Sequence, residues 1–262
     1  MSFSSRIIEF LFLIELFMKR QGRIRNIASI VFYDVIYPLG LYFSFSKIIN
    51  YQNFENFISG LLVLFVTTYI IQSVTTWLGM DKSYNYFTVI RALGPSVLEY
   101  SIALTIVIII TSLPGILILT SLSLKTSLKN IALMFLVMLT SALISGFIST
   151  IIVTIFNEYT ISTVFSTIFS YIISTFPPIF YPSTVLPSPW DMILNYIYTV
   201  VTANAIKSLL IDNLLLWYYY YLILLIYLIF VIIVFYIILD IKYEKGLGRT
   251  FNKVKSIIKI IL

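Results

Sequence analysis

The chain has no cysteine and no histidine, and only 11% of its 262 residues are charged. Those gaps exclude thiolate nucleophiles, disulfides, His-ligated zinc or haem, and imidazole acid–base chemistry. No Gly-x-x-x-x-Gly-Lys-Ser/Thr loop occurs, so the usual backbone cradle for ATP phosphates is missing as well. The acidic residues are scattered singly, none closer than five positions to the next except Asp240 and Glu244. A clustered carboxylate site for a metal and a diphosphate is therefore not expected. The N-terminus lacks a small-residue cleavage site after a short apolar core, so no removable signal peptide is predicted.

What the chain does have is apolar length. Hydrophobic residues make up 60% of it, aromatic residues 17%, and the mean hydropathy is +1.01. That composition predicts an all-α polytopic membrane protein, because helices satisfy their own backbone where water is absent. Six spans are predicted: 27–45, 57–78, 97–124, 130–156, 160–176 and 214–239. Residues 1–26 hold an apolar block interrupted by Glu9 and Glu15 and followed by Lys19, Arg20, Arg23 and Arg25. This block is too short and too charged to span, and reads as an amphipathic helix at the membrane surface, its basic side chains among lipid headgroups. One of its faces is expected to pack on protein. The tail, 240–262, is basic and ends in isoleucines, which suits the same surface.

Within the spans, Asp34 is the one buried-charge candidate, lying only about 10 Å in at about 1.5 Å per residue. It is either functional or solvated near the interface. Gly146 stands among Ser141, Ser145 and Ser149, a spacing of small residues that favours close helix packing. Residues 79–96 are too polar to span and too long for a tight turn. They predict a short amphipathic helix closed by Gly94-Pro95, which either lies on the membrane or docks a soluble partner.

The stretch Phe176 to Trp190 packs five of the eight prolines, Pro177, Pro178, Pro182, Pro187 and Pro189, into fifteen residues. Each proline removes a backbone donor and disfavours helix in the residue before it, so the fifth span must stop there. The stretch is either an outer loop or a re-entrant, mouth-lining segment, continued by the mildly polar residues up to Asp212. Lysine and arginine set the orientation. The N-terminal segment has five, the 79–96 segment has Lys82 and Arg91, and the tail has six; opposite them lie Lys47, Lys125, Lys129 and Lys207. Both termini and the 79–96 segment are thus expected in the cytoplasm, with the proline stretch outside. The net charge of +6 is a topology signal, with no nucleic acid implied.

A surface helix, six spans, a cytoplasmic helix between spans two and three, and a long external segment between spans five and six resemble the permease subunits of type-2 ATP-binding-cassette (ABC) exporters. The stretch Phe180-Tyr181-Pro182-Ser183, Leu186-Pro187 and Trp190 is similar to that family's motif after the fifth span, and Thr202 to Lys207 to its later Thr and basic residue. Lys207 stands where the family commonly has Arg, and Gly94 where its coupling helix has Thr. The resemblance implies a transport subunit, not an enzyme, binding no cofactor itself. A separate ABC ATP-binding subunit would hold ATP and Mg, and a second permease chain, identical or paralogous, would complete the pathway. It further implies that 79–96 is the coupling helix, with Asp81, Lys82 and Arg91 fixing register on the ATPase and Tyr84, Tyr86, Phe87 and Ile90 forming the contact. The proline residues and Trp190 would form the external gate. A membrane-embedded lipid-linked transferase and a secondary transporter are the alternatives; the latter calls for mid-membrane ionisable groups and an internal repeat. In a cysteine-free chain, one cysteine replacing Ser183 should react with an impermeant maleimide added outside intact cells. Labelling only from the inner side would reverse the orientation.

Overall fold

A computed structural model describes residues 3–21, 36, 39–40, 42–43, 54–84, 97–121, 127–156, 158–181 and 185–239. Most of the expected first span with Asp34, residues 85–96 with Tyr86, Phe87, Ile90 and Arg91, Pro182, and the tail lie outside the described residues. The described residues form eight helices and no strand: α1 (Phe3–Gln21), α2 (Phe54–Ser83), α3 (Val97–Ser121), α4 (Leu128–Ile155), α5 (Tyr159–Thr175), α6 (Trp190–Asn195), α7 (Tyr198–Leu210) and α8 (Leu214–Leu239). Four of them, α2, α3, α4 and α8, are long and apolar enough to cross a membrane. The expected span at 160–176 is α5, only 17 residues long. Pro177 ends it, and at about 1.5 Å per residue it stands at the short limit of what can cross a bilayer.

α2 is the central post. In its most apolar stretch 83% of residues are buried, against 17% in α8, and it packs against α3, α4, α5 and α7. Such contact needs narrow neighbours. On the α5 side, Ser162, Ser166, Ser170 and Ser174 recur every four residues and all are buried. With no water to bond, each serine turns back onto its own helix: Ser162 donates to the Tyr159 carbonyl at 2.8 Å, Ser166 to Thr163 at 2.9 Å and Ser170 to Thr167 at 2.9 Å. Gln72 of α2 then donates to Ser170 Oγ at 3.2 Å, a bond across the helix pair.

The small residues of α4 are used for packing too. Ser141, Ser145 and Ser149 are buried, and Gly146 faces α3, where an added Cβ would come 2.4 Å from Thr105 Cγ2 and 2.6 Å from its Oγ1. Among described residues, α3 runs unbroken through Pro114, with the buried Thr105, Ser112 and Thr120 side chains bonded to backbone carbonyls along it.

α7 is nearly all buried and threads between α2, α4 and α8. Its depth follows from its partners. Tyr198 and Ser145 share a 3.0 Å bond near the middle of α4, and Thr202 donates to Ser141 at 3.3 Å. At the far end Asn130, on the first turn of α4, donates to the Leu209 carbonyl and to Asp212 Oδ1, both at 3.0 Å. The chain between α5 and α8 therefore goes in to mid-depth of α4 and comes back to its Leu128 end. The return turn uses Asp212 at φ 56°, a left-handed conformation that a short polar side chain tolerates. Asn213 then caps α8 through Leu216 N at 3.1 Å.

Substitution Gly146→Ala should lower the stability of the detergent-solubilised chain by about 1–3 kcal/mol, the usual cost of overpacking. Thr105→Ala in the same chain removes the two nearest atoms and should restore most of it, measured by thermal unfolding.

Candidate functional site

Two places concentrate polar chemistry in this apolar bundle, one at each end of α2. At the Ser83 end, Asp81 has a fully buried side chain, and Arg20 from the last turn of α1 donates to its Oδ1 at 2.5 Å. The phenol of Tyr100, from the first turn of α3, donates to Oδ2. Arg20 is 32% exposed and lies 4.5 Å from the Trp77 ring centroid, so its planar cation is held by a carboxylate on one side and an aromatic face on the other. Phe17, one turn before Arg20, meets the Tyr100 ring edge-on at 4.9 Å. Three helices, α1, α2 and α3, are thus joined through one carboxylate.

The geometry corrects the boundary expected at Gly79. α2 continues to Ser83, and Gly79 packs on Tyr159 of α5, where a Cβ would come within 2.8 Å of the ring. Asp81 and Lys82 look like the start of an exposed segment because they are charged, yet both charges turn inward. Lys82 Nζ donates to the Val153 carbonyl at 2.9 Å and to Phe156 at 3.2 Å, satisfying orphan carbonyls at the negative end of α4. Neither Asp81 nor Lys82 presents its charge outward. Of the expected docking residues, Tyr84 alone among the described ones is exposed, at 66%.

α1 packs one apolar face on the bundle and leaves other apolar side chains exposed. Leu13 and Phe17 are buried, Phe10 and Ile14 pack beside them, and Ile7, Ile8, Leu11, Phe12 and Leu16 remain exposed. Glu15 and Lys19 pair at 2.7 Å on the outer surface, where the lysine holds the carboxyl below its ordinary range. An exposed pair of this kind adds little stability.

The second place lies at the Phe54 end. Pro177 and Pro178 are buried, while Pro187, Pro189 and Trp190 lie at the surface and turn the chain into α6, with Trp190 N bonding the Pro187 carbonyl at 3.0 Å. Next to the buried prolines, Phe180 and the Ile179 carbonyl press on Gly60 of α2, where a Cβ would come within 2.6 Å of the Phe180 ring. Beneath this contact lies a cavity of about 380 Å³, walled by α2, α6, α7 and α8 as well as by Pro178 and Ile179. Asn56, Ser59, Asn195, Asn204, Lys207 and Tyr220 are among its polar wall residues.

Neither place was fully visible in the residues alone. Arg20, Trp77 and Tyr100 were separate features of three segments, and the cavity draws on parts of the chain more than a hundred residues apart. Of the motif from Phe180 to Trp190, Tyr181 alone among the described residues lines the cavity. No family model matches the chain, and a search of curated proteins finds no significant match.

Asp81→Asn should destabilise the chain by about 3 kcal/mol, the low end for breaking a buried ion pair because Arg20 keeps some solvent. Tyr100→Phe should cost about 1.5 kcal/mol, as for a bond to a charged group. Denaturant unfolding of both variants, and of the Asp81→Asn/Arg20→Gln double, should give a double effect smaller than the sum.

Proposed function

We propose that the chain is the transmembrane permease subunit of an ABC-type exporter. It pairs with a second permease chain, identical or paralogous, to form the substrate pathway, and a separate ATP-binding subunit supplies the energy. In this reading it spans the cell membrane six times with both termini in the cytoplasm, and α1 lies along the inner surface.

The observation that supports this most is the element between α5 and α8. A proline-rich stretch that ends one helix is followed by α6 and α7, and α7 is buried to mid-depth of the bundle without crossing it. Backbone that turns at such depth is tolerated only where protein or a water-filled cavity surrounds it, which is the setting of a pathway wall. The joint at Asp81 supplies the other half of a mechanism. A force applied by a motor to α1, or to the segment leaving α2 after Tyr84, would reach α2 and α3 together through Arg20, Asp81 and Tyr100. Rocking α2 moves α4, α5 and α7 with it, since all three pack on it. The chain would then alternate between inward-open and outward-open arrangements. ATP and Mg would remain on the partner, and this chain would catalyse no reaction.

Because Asp81 is committed inside the chain, register on the ATPase falls to Arg91, with Tyr84, Tyr86, Phe87 and Ile90 as the contact. The test is gentle extraction from the native membrane with the chain tagged. An ATP-binding subunit should co-purify and hydrolyse ATP, and Arg91→Glu should reduce its recovery about tenfold, the loss of one charge-assisted contact, with the unfolding midpoint unchanged. Recovery of the chain with no ATP-binding protein, or cargo movement by the chain alone, would contradict the reading.

A further inference from the structure

The cavity beneath the proline stretch has an unusual balance of groups. Among the described residues its one charged wall residue is Lys207, on the last turn of α7, half-buried between α2 and α8. Among the described residues, no carboxylate or carbonyl engages the Lys207 ammonium, and no acidic side chain lines the cavity. Asp191, at the start of α6, is not part of the wall, and Asp212 is engaged by Asn130. The remaining polar wall groups are neutral: amides and phenols, Asn56, Asn195, Asn204 and Tyr220 among them, all able to donate, and the Ser59 hydroxyl, which donates to the Asn56 carbonyl at 3.0 Å. A lysine facing several neutral donors and no acceptor charge is complementary to an oxyanion.

Part of the lining is apolar. Ile179, Met192, Val201 and Ile223 contribute it, and Met192 and Tyr219 are exposed at the mouth. The cavity runs inward from Asn56 and Ser59, on the first two turns of α2, to Ile223, about 14 Å along α8 at about 1.5 Å per residue. In a bilayer that the long helices cross, it starts near the headgroups and reaches into the hydrocarbon layer. A volume of about 380 Å³ is in the range of small-molecule sites, ample for a headgroup and the start of its chain.

We propose that this cavity binds the anionic oxygen headgroup of an amphiphile, with Lys207 as counter-ion, Asn195 and Asn204 as donors, and the Ile179–Ile223 side receiving the first part of the hydrocarbon. The inference rests on the bundle lying in a membrane and is independent of any motor.

The full chain in phosphatidylcholine nanodiscs containing a minor fraction of phosphatidylglycerol tests it, with bound lipid counted by native mass spectrometry after release from the disc. Wild type should retain phosphatidylglycerol over phosphatidylcholine. Lys207→Gln should lower that retention about tenfold, as expected for one lost charge-assisted contact, and Lys207→Arg should preserve it. Asn204→Asp, which supplies Lys207 with an internal carboxylate, should lower it similarly, and it decides alone should Lys207→Gln not fold. A parallel arm adds inorganic phosphate to discs of phosphatidylcholine only. Thermal stabilisation by phosphate, lost in Lys207→Gln and without phosphatidylglycerol retention in the first arm, would mean a free oxyanion site and overturn the amphiphile. Equal phosphatidylglycerol retention by wild type and Asn204→Asp would overturn the site itself.

Discussion

A polar group in an apolar bundle has to find its partner inside the protein, and Asp81 carries that constraint furthest. A lone buried carboxylate would be far too costly to keep ionised. Its two oxygens are taken by Arg20 and Tyr100 from two other helices, so the requirement for a counter-charge becomes a mechanical connection. The same constraint acts at lower stakes at several other places. Lys82 finds the open carbonyls at the end of α4, Asn130 closes the turn after α7, and the serines of α5 bond to their own helix. Polar side chains here fix which helices meet and at what height.

Packing supplies the rest of the order. Because serine and glycine leave helix surfaces narrow, α2 can be enclosed by four other helices, and its position fixes theirs. The periphery is different. α8 shows most of its side chains, with Leu222, Ile226, Ile229, Phe230 and Ile233 all exposed. In water this would be an aggregation hazard, and in a bilayer it is a lipid-facing surface or the place of a second chain. The bundle is therefore closely packed at its centre and open at its rim.

Much of this was legible from residue pattern. Long apolar runs marked α2, α3, α4 and α8, prolines marked the end of α5, and Gly146 with its serines marked a packing face. The failures have physical causes. Asp81 and Lys82 read as an exit from the membrane because charge usually is one, and only their partners on α1, α3 and α4 reverse that meaning. The serine stripe of α5 was hidden in a sequence where Ser and Thr are common throughout. The cavity was invisible for a different reason: Asn56 and Lys207 become neighbours only after α7 folds back into the bundle, and nothing local to either predicts it.

α1 is held to the core through Arg20, Asp81 and Tyr100, so that a displacement of α1 is felt at α2. Spin labels at Met18 on α1 and Ile161 on α5, both exposed, measure that attachment in a lipid bilayer by the width of their distance distribution. A single narrow distribution that broadens in Asp81→Asn is the predicted result. A distribution already broad in the unmodified chain, or unchanged by the substitution, would show that α1 is not coupled to the bundle through this joint.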